Sequence, residues 1–331
     1  MPHAPCPVPA MTQSHLSQPI TVTVPATTAN LGPGFDCIGA ALTLYNEFKF
    51  SLLSSEEGEP LIIKVTGAEA EQVKTDQSNL IYQAFVKFYQ HLEQTPPPVK
   101  IEIQMGVPLA RGLGSSATAI VGGLLGANLL SGEVLSQQQV MELAIVLEGH
   151  PDNVVPALLG GCRLAATGKR NEPPNIQEWE VCEVPWSREI VPVVAIPDFE
   201  LSTQEARRVL PTEVSRADAI FNTAHLGLLL RGLETGQEDW LRAGLQDKLH
   251  QPYRKILIPG FDAVNEAAIA AGAYGMVISG AGPTLLALTN SLHSESVAAA
   301  MAAAWQEKGI VAVVRSLGID IQGARGVADN T

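Results

Sequence analysis

The sequence predicts an α+β protein of two domains, and three observations lead to this prediction. Residues 20–105 contain short runs in which β-branched and apolar residues alternate with polar ones, which is typical of strands. In residues 191–316, strand patterns alternate with helical patterns. Between these parts, residues 168–180 are polar and contain two prolines, which indicates a boundary between domains.

Strands of the first half are predicted where the alternation is cleanest, at residues 20–25, 42–53, 61–67 and 99–105. Residues 26–39 are dense in glycine, proline, asparagine and aspartate, so we expect a structured loop there. Apolar residues at helical spacing predict a helix over 78–94. Residues 1–19 are rich in Pro, His, Gln and Ser and lack the apolar stretch of a secretory signal, and we expect a disordered extension.

The segments that follow predict more helices than strands. Small apolar residues predict a helix that ends near residue 130, and a second helix covers 136–147 with Ser136 as its N-cap. Residues 149–161 contain Gly, Pro and Asn, and we expect a loop there. The elements predicted for the second half are strands at 191–196, 275–278, 284–288 and 310–316 and helices at 203–210, 217–233, 238–249, 261–271 and 294–308.

Composition excludes several classes of function. Of the 331 residues, 46% are hydrophobic and 17% are charged, which argues against disorder over most of the chain. The formal net charge is −13 and no cluster of basic residues is present, which argues against a nucleic-acid partner. The four cysteines form no CxxC pair, which favours a reducing compartment, and the apolar run at 117–130 is shorter than the ~20 residues of a membrane span. We therefore expect a cytoplasmic protein with no membrane partner.

One glycine-rich segment carries a chemical signal. Residues 112–117 (GLGSSA) follow a predicted strand and open a predicted helix. Glycine lets the backbone approach a ligand closely, and the free N–H groups at a helix start suit a phosphate. No lysine follows the second glycine, so the segment differs from a P-loop. From these six residues alone, a phosphate site and a strand–helix junction without a ligand stay equally open.

Three segments in order resemble the motifs of the superfamily of galactokinase, homoserine kinase, mevalonate kinase and phosphomevalonate kinase, the GHMP kinases. They are PATTANLGPGFDCIG at 25–39, PLARGLGSSAT at 108–118 and VISGAGPTLLA at 277–287. The resemblance implies an N-terminal ATP-binding domain at 20–168, similar to domain 2 of ribosomal protein S5. It also implies a ferredoxin-like C-terminal domain at 169–322, followed by a short tail at 323–331.

Four further segments resemble the homoserine kinase family within this superfamily. They are NLGPGFDCIGAAL from Asn30, EGHPDNVVPALLGG from Glu148, LSTQEARRVLP from Leu201 and HQPYRKILIPGF from His250. This resemblance implies ATP-dependent phosphorylation of the side-chain hydroxyl of L-homoserine in threonine biosynthesis, with Mg²⁺. Gln251 stands where the family more often has Glu, with no evident mechanistic consequence.

The resemblance also implies the substrate-binding residues. Asp36 with Asn30 serves the ammonium group of homoserine, and Arg207 and Arg254 serve its carboxylate, which suits the guanidinium fork. From the residues alone, Asp36 as a loop cap and Arg207 on an exposed helix face stay open. The remaining implied positions are His150, Asn153 and Gly280 in the substrate pocket, and for ATP Pro108, Leu109, Ala110, Arg111, Gly112, Leu113, Gly114, Ser115, Ser116, Ala117 and Thr118.

Catalysis is implied at Ser116, Glu142 and Asn153. Ser116 and Glu142 would hold Mg²⁺, since Glu142 lies eleven residues before Asn153, as in the superfamily. A solvated Glu142 stays an alternative. Asn153 stands where mevalonate kinase and galactokinase have a catalytic Asp, and an amide cannot usefully accept a proton. We expect Asn153 to orient the hydroxyl while the γ-phosphate takes its proton; Asp152 is a weaker candidate, because neighbouring loop side chains usually point apart.

Three alternatives remain at this level. Another GHMP kinase is disfavoured by Asn153 and the two arginines. A non-catalytic sensor of the same fold is disfavoured by the intact glycines, Ser116 and Glu142, since a sensor needs no metal ligand. An RNA-binding protein is disfavoured by the net charge of −13. A homodimer is possible, and Asn79 is a candidate for the nucleoside side of the ATP site.

Overall fold

The computed structural model describes residues 18–54, 59–170 and 177–328. The extension predicted at 1–19 therefore lies outside the described residues except for its last two positions, Gln18 and Pro19. The strands are β1 Ile20–Ala29, β2 Ile38–Leu52, β3 Leu61–Gly67, β4 Val99–Met105, β5 Cys162–Arg170, β6 Gln177–Val184, β7 Val191–Pro197, β8 Gly275–Ile278, β9 Leu285–Thr289, β10 Ala312–Ser316 and β11 Arg325–Ala328. The helices are α1 Leu80–His91, α2 Ser115–Leu130, α3 Gln137–Glu148, α4 Pro151–Leu159, α5 Thr203–Arg208, α6 Arg216–Thr235, α7 Glu238–Gly244, α8 Gln251–Arg254, α9 Phe261–Ala270 and α10 Ser294–Glu307.

The first sheet has the strand order β11-β1-β2-β4-β3, and β5 extends it by pairing with both β2 and β6. Its pairs are antiparallel except for β3 with β4. The glycines of α2 explain how closely this helix packs against the first sheet. A Cβ at Gly122 would lie 2.3 Å from the ring of Phe48, and one at Gly126 would lie 2.3 Å from the ring of Phe50. Glycine thus lets α2 lie directly against the aromatic residues of the sheet.

The second sheet has the order β10-β7-β9-β8, and all its pairs are antiparallel. Helices α9 and α10 contribute Val264, Met301 and the buried Trp305 to the core beneath it. With α5 to α8 inserted after β7, the succession β7, β8, β9, β10 follows the ferredoxin-like order 4-1-3-2. The predicted α+β class and the ferredoxin-like second sheet are confirmed.

Several predicted boundaries are wrong, and each for a local reason. The loop predicted at 26–39 is restricted to 30–37, because β1 and β2 continue their pairing up to Ala29 and Gly39. The loop predicted at 149–161 is mostly the helix α4, because Pro151 occupies the first helical turn, where its missing N–H is not needed. The helix predicted at 238–249 ends at Gly244.

Two strands that the sequence did not predict join the first sheet from beyond residue 168. β6 follows residue 168 but pairs with β5 in the first sheet, and β11 lies in the predicted tail but pairs with β1. The division of the chain into domains stays a prediction. Across the described ranges, none of the helices combines the length and apolar character that a membrane crossing requires.

Candidate active site

A cavity of about 550 Å³ brings the three predicted motifs together. It is lined by the loop after β1, the glycine segment before α2, the ends of α3, α4 and α5, α8, and the loop after β8. The predicted site residues on its wall are Asn30, Asp36, Leu109, Ala110, Arg111, Gly112, Gly114, Ser115, Ser116, His150, Asn153, Arg207, Arg254 and Gly280. The predicted site residues that do not line it are Pro108, Leu113, Ala117, Thr118 and Glu142.

The glycine segment is shaped as a phosphate site requires. Gly112 and Gly114 have φ of +75° and +68°, in the left-handed region that favours glycine. A Cβ at Gly112 would lie 2.3 Å from the carbonyl oxygen of Ser279, and one at Gly114 would lie 2.0 Å from Thr27 Oγ1. No side chain caps the N-terminus of α2, so its first N–H groups remain available beside the cavity. The arrangement can bind an anion through backbone amides.

Arg111 lies in this segment, but its guanidinium is engaged by the protein. The side chain is buried, and its two ion-pair partners are Glu69 and Glu200. Its remaining acceptors are the carbonyl oxygens of Leu109 at 2.8 Å, Asp198 at 3.0 Å and Pro197 at 3.1 Å. Four hydrogen bonds and two ion pairs thus hold the guanidinium within the protein, and a role of Arg111 in binding ATP stays a prediction. The side chain fixes the loop against the end of β7.

The carboxylate beside Ser116 is Glu148 rather than Glu142. Ser116 Oγ lies 2.8 Å from Glu148 Oε1 on the cavity wall, whereas Glu142 accepts a hydrogen bond of 2.8 Å from Gln138 on its own helix. The structure gives Glu142 no contact with Ser116, and its role as a metal ligand stays a prediction. Six residues along a helix correspond to a rotation of roughly 240°, so the two carboxylates leave α3 on different faces. Burial raises the pKa of Glu148, and the Ser116 hydroxyl and His150 offset this only in part.

A hydrogen-bonded chain surrounds Asn153 at the start of α4. Thr27 Oγ1 donates to Asn153 Oδ1 at 2.8 Å, and Asn153 Nδ2 donates to Asp152 Oδ1 at 3.3 Å. The same Asp152 oxygen lies 2.5 Å from His150 Nδ1. The expectation that Asp152 points away from Asn153 is wrong, since both side chains line the cavity. Sequence reasoning missed Thr27, whose only signal was its place in the first motif.

Opposing effects act on the pKa of His150. Burial lowers its pKa, but the hydrogen bond and charge of Asp152, with smaller contributions from Glu148 and Asp36, outweigh burial and raise the pKa above the usual value. Ligand atoms of Asp36, His150 and Asp152 lie within 4.8 Å of one another. This side of the cavity therefore concentrates two carboxylates and suits a cationic group of a substrate.

Asp36 and Arg207 form a bidentate ion pair in the cavity. The two hydrogen bonds are 3.0 and 2.9 Å long, which is the fork geometry that arginine offers to carboxylates. Asn30 positions the loop, because its Oδ1 accepts from the Asp36 N–H at 3.0 Å and its Nδ2 donates to the Gly280 carbonyl at 2.8 Å. The carboxylate of Asp36 thus faces a substrate cavity and not the loop backbone.

Arg254 is buried next to this pair. It donates from Nη1 to the Gly280 carbonyl at 3.0 Å and from Nε to the Ala206 carbonyl at 3.2 Å. Its guanidinium lies 4.9 Å from the ring of Phe35, which also faces Arg207 at 5.6 Å. Burial and the charge of Arg207 lower the pKa of Arg254 to about 10, which leaves it charged at neutral pH. Sequence reasoning missed Phe35, and its neighbour Asp36 was the only signal for it.

The opposite end of the cavity is apolar, with Phe48, Leu80 and Met105 on its wall. Asn79 lies there, but as the N-cap of α1. Its Oδ1 accepts from the Ile81 N–H at 2.9 Å, and its Nδ2 donates to a backbone carbonyl at 2.6 Å. This end suits a flat apolar group such as a nucleobase.

Comparisons with known proteins identify the same superfamily as the three motifs that line the cavity. Family models described as "GHMP kinases N terminal domain" and "GHMP kinases C terminal" match residues 79–161 and 229–310. A homoserine kinase of Nostoc punctiforme is 76% identical over 92% of this chain and 97% of its own length. The crystal structure of homoserine kinase from Cytophaga hutchinsonii has a TM-score of 0.82 and 28% identity, and covers 97% of this chain and 100% of that one. A mevalonate kinase of L. major, at 15% identity and a TM-score of 0.66 over 91% of this chain and 96% of that one, shares the fold.

Proposed function

The chain belongs to the homoserine kinases of the GHMP family, and on this premise we propose that it transfers the γ-phosphoryl group of ATP to the side-chain hydroxyl of L-homoserine. The products are ADP and O-phospho-L-homoserine, an intermediate of threonine biosynthesis. The observation that carries the proposal is a single cavity. It joins the uncapped start of α2 to a pair of arginines and a cluster of carboxylates.

ATP binds with its phosphates at the start of α2 and its base at the apolar end of the cavity. The proposal is supported by the left-handed Gly112 and Gly114 and by Ser115 and Ser116 on the wall. Backbone N–H groups and the helix dipole supply the positive potential. A chain with a net charge of −13 can therefore hold a triphosphate with few basic side chains.

Mg²⁺ fits the residues beside this loop. Ser116 and Glu148 offer two oxygen donors 2.8 Å apart on the cavity wall, and Mg²⁺ prefers oxygen ligands. These two residues would hold the ion, which would neutralise the negative charge on the phosphates. The burial that raises the pKa of Glu148 also favours a cationic partner for its ionised form.

Homoserine is a zwitterion, and the cavity offers both charges that it needs. Arg207 and Arg254 serve the carboxylate, and Asp36 with Asp152 serves the ammonium group. The ion pair between Asp36 and Arg207 satisfies both residues when no substrate is bound. The zwitterion replaces that contact with one carboxylate–arginine and one ammonium–aspartate contact, so no charge is left unpaired.

Asn153 orients the hydroxyl for attack. The hydroxyl oxygen forms the new bond to the γ-phosphorus, the bond from that phosphorus to the β–γ bridging oxygen breaks, and ADP leaves. The hydroxyl proton passes to an oxygen of the transferred phosphoryl group. One observation supports this path: the amide of Asn153 has no basic atom that could take the proton.

An assay of ADP release with L-homoserine, mevalonate and galactose side by side tests the proposal. We expect ADP release with L-homoserine and at least about 100-fold lower kcat/KM with the other two, because mevalonate carries a carboxylate but no ammonium group and galactose carries neither charge. A preference for mevalonate or galactose would make the chain a different GHMP kinase. The absence of ADP release with all three would favour a sensor.

The location and assembly of the protein are also proposals. We infer that it acts in the cytosol, a reducing compartment in which Cys37, Cys162 and Cys182 remain free thiols. A homodimer is tested by the mass of the purified protein in sedimentation equilibrium.

A further inference from the structure

His250 lies outside the residues predicted for the site, immediately before α8. Its side chain is fully buried. The turn that carries it is fixed by Asp247, whose carboxylate accepts from the backbone N–H groups of Leu249 at 2.9 Å, His250 at 2.9 Å and Gln251 at 2.7 Å. The imidazole is thus held on a rigid backbone beside the cavity wall.

Both ring nitrogens of His250 have assigned partners. Nε2 lies 2.9 Å from the carbonyl oxygen of Gly32, and because a carbonyl only accepts, Nε2 carries the hydrogen. Nδ1 lies 3.4 Å from Nη1 of Arg254, one helical turn along the chain. Burial lowers the pKa of His250; Asp247 opposes this, Arg254 adds to it, and the result is a neutral ring. A neutral ring with hydrogen on Nε2 accepts at Nδ1.

The partners of Arg254 leave one nitrogen for a ligand. Nε donates to Ala206, and the two hydrogens of Nη1 face Gly280 and His250. Among the described residues, none accepts a hydrogen bond from Nη2. The ring of Phe35 stacks on His250 at 5.1 Å and lies under the Arg254 guanidinium, so it fixes the plane of the group.

We propose that His250 is a positioning residue for the carboxylate of homoserine. Its neutral imidazole accepts from Nη1 of Arg254 and donates to Gly32, and this directs Nη2 of Arg254 toward the substrate. The inference rests on the proposed function, because it takes the homoserine carboxylate as the ligand of Arg254. The competing interpretation is a histidine that only fills the core.

Two substitutions separate the roles of the two ring nitrogens of His250. In His250→Asn the amide oxygen stands where Nδ1 was, so the acceptor for Arg254 is kept and the contact with Gly32 is lost. In His250→Gln the amide nitrogen reaches toward Gly32, and the acceptor for Arg254 is lost. We expect His250→Gln to raise KM for homoserine about 10-fold and His250→Asn to raise it about 2-fold, while KM for ATP stays within 2-fold in both.

Controls exclude a general structural effect. His225 on α6 also stacks on a phenylalanine, Phe221, but it does not line the cavity, so His225→Gln should leave both KM values unchanged. In an Arg254→Lys background, His250→Gln should change KM for homoserine less than 2-fold, because the partner of Nδ1 is gone. Equal effects of His250→Asn and His250→Gln, or an equal rise of KM for ATP, would overturn the proposal.

The charge and the tautomer of His250 can be measured in the unmodified enzyme. Nitrogen NMR of histidine-labelled protein should report His250 as neutral with hydrogen on Nε2, and the Nδ1 resonance should shift when homoserine is added. A hydrogen on Nδ1 would overturn the assignment even if the variants did not fold. An enzyme that phosphorylates no homoserine would contradict the proposed function, and the NMR measurement would still decide whether Nδ1 of His250 is an acceptor for Arg254.

Discussion

Asn153 is the residue on which the proposed chemistry depends most directly. Its amide lies between Thr27 and Asp152 on the cavity wall. We expect Asn153→Ala to lower kcat about 100-fold, because the hydroxyl loses its orientation, and Asp152→Asn to lower it about 10-fold. Steady-state kinetics with saturating ATP measure both. Full turnover in Asn153→Ala together with no turnover in Asp152→Asn would make Asp152 the base.

Glu148 and Glu142 form a matched pair of carboxylates on one helix. Because Glu148 contacts Ser116 and Glu142 does not line the cavity, Glu148→Gln should lower kcat/KM for ATP about 100-fold or more and raise the Mg²⁺ concentration needed for half-maximal rate. Glu142→Gln should stay within 2-fold of the unmodified enzyme. A Mg²⁺ titration of both variants checks this, and the opposite ranking would restore Glu142 as the ligand.

His250 and His150 should change the pH dependence of the free energy of unfolding in opposite directions. Burial and the charge of Arg254 lower the pKa of His250 to about 4 against the opposing charges of Asp247 and Asp36, so between pH 6.5 and 4 the unfolded state binds the proton and the folded state does not. Its contribution to stability is therefore lost as pH falls. The raised pKa of His150 gives a contribution that is present below pH 6.5 and lost as pH rises through the folded value.

Urea denaturation between pH 4 and 8 measures these contributions. Relative to the unmodified protein, His250→Gln should lose less of its free energy of unfolding on acidification, and His150→Gln should lose more. Parallel pH profiles for all three proteins would show that neither ring has the environment described.

At the scale of the element, α2 depends on its glycines. Gly126→Ala would bring a Cβ within 2.3 Å of the Phe50 ring, and we expect it to lower the free energy of unfolding by about 1–3 kcal/mol. Gly227 on α6 is the control, since an added Cβ there meets nothing within 4 Å. Gly227→Ala should raise the free energy of unfolding by about 0.4–1 kcal/mol. Chemical denaturation that moved both variants in the same direction would contradict the packing described.

The sequence predicts elements best where the pattern is local. The alternating runs of β3 and β4 have the predicted bounds, and Ser136 forms the capping box that its position before α3 indicates. α4 was missed because Pro151 was interpreted as a breaker. The contact of Glu148 with Ser116 was not predicted, because the side of α3 that faces the cavity is set by its packing, which a spacing of eleven residues does not reveal.

Contacts between residues distant in sequence hold the site together, and the sequence did not predict them. Thr27 reaches Asn153 across 126 residues, and Arg111 reaches the carbonyl of Pro197 across 86. The ion pair that Asp36 forms with Arg207 was likewise not expected, although both residues were predicted. Motif resemblance therefore identifies which residues lie together in the site. The structure adds which of their side chains already form hydrogen bonds or ion pairs within the protein.

At the scale of the whole molecule, neither sheet carries a complete site. The first supplies the loop of Asp36 and the start of α2, and the helices inserted in the second supply Arg207 and Arg254. Arg111 ties the two parts together through the end of β7. The acidic composition is compatible with phosphate chemistry because backbone amides carry the anion.

Phosphorus NMR of the reaction with ATP, Mg²⁺ and L-homoserine tests the central claim most directly. The expected result is one new phosphomonoester resonance that grows with ADP in equal amount, is retained in Glu142→Gln and is strongly slowed in Glu148→Gln. ADP formed without a phosphomonoester, or a phosphomonoester formed at the same rate in Glu148→Gln, would contradict it.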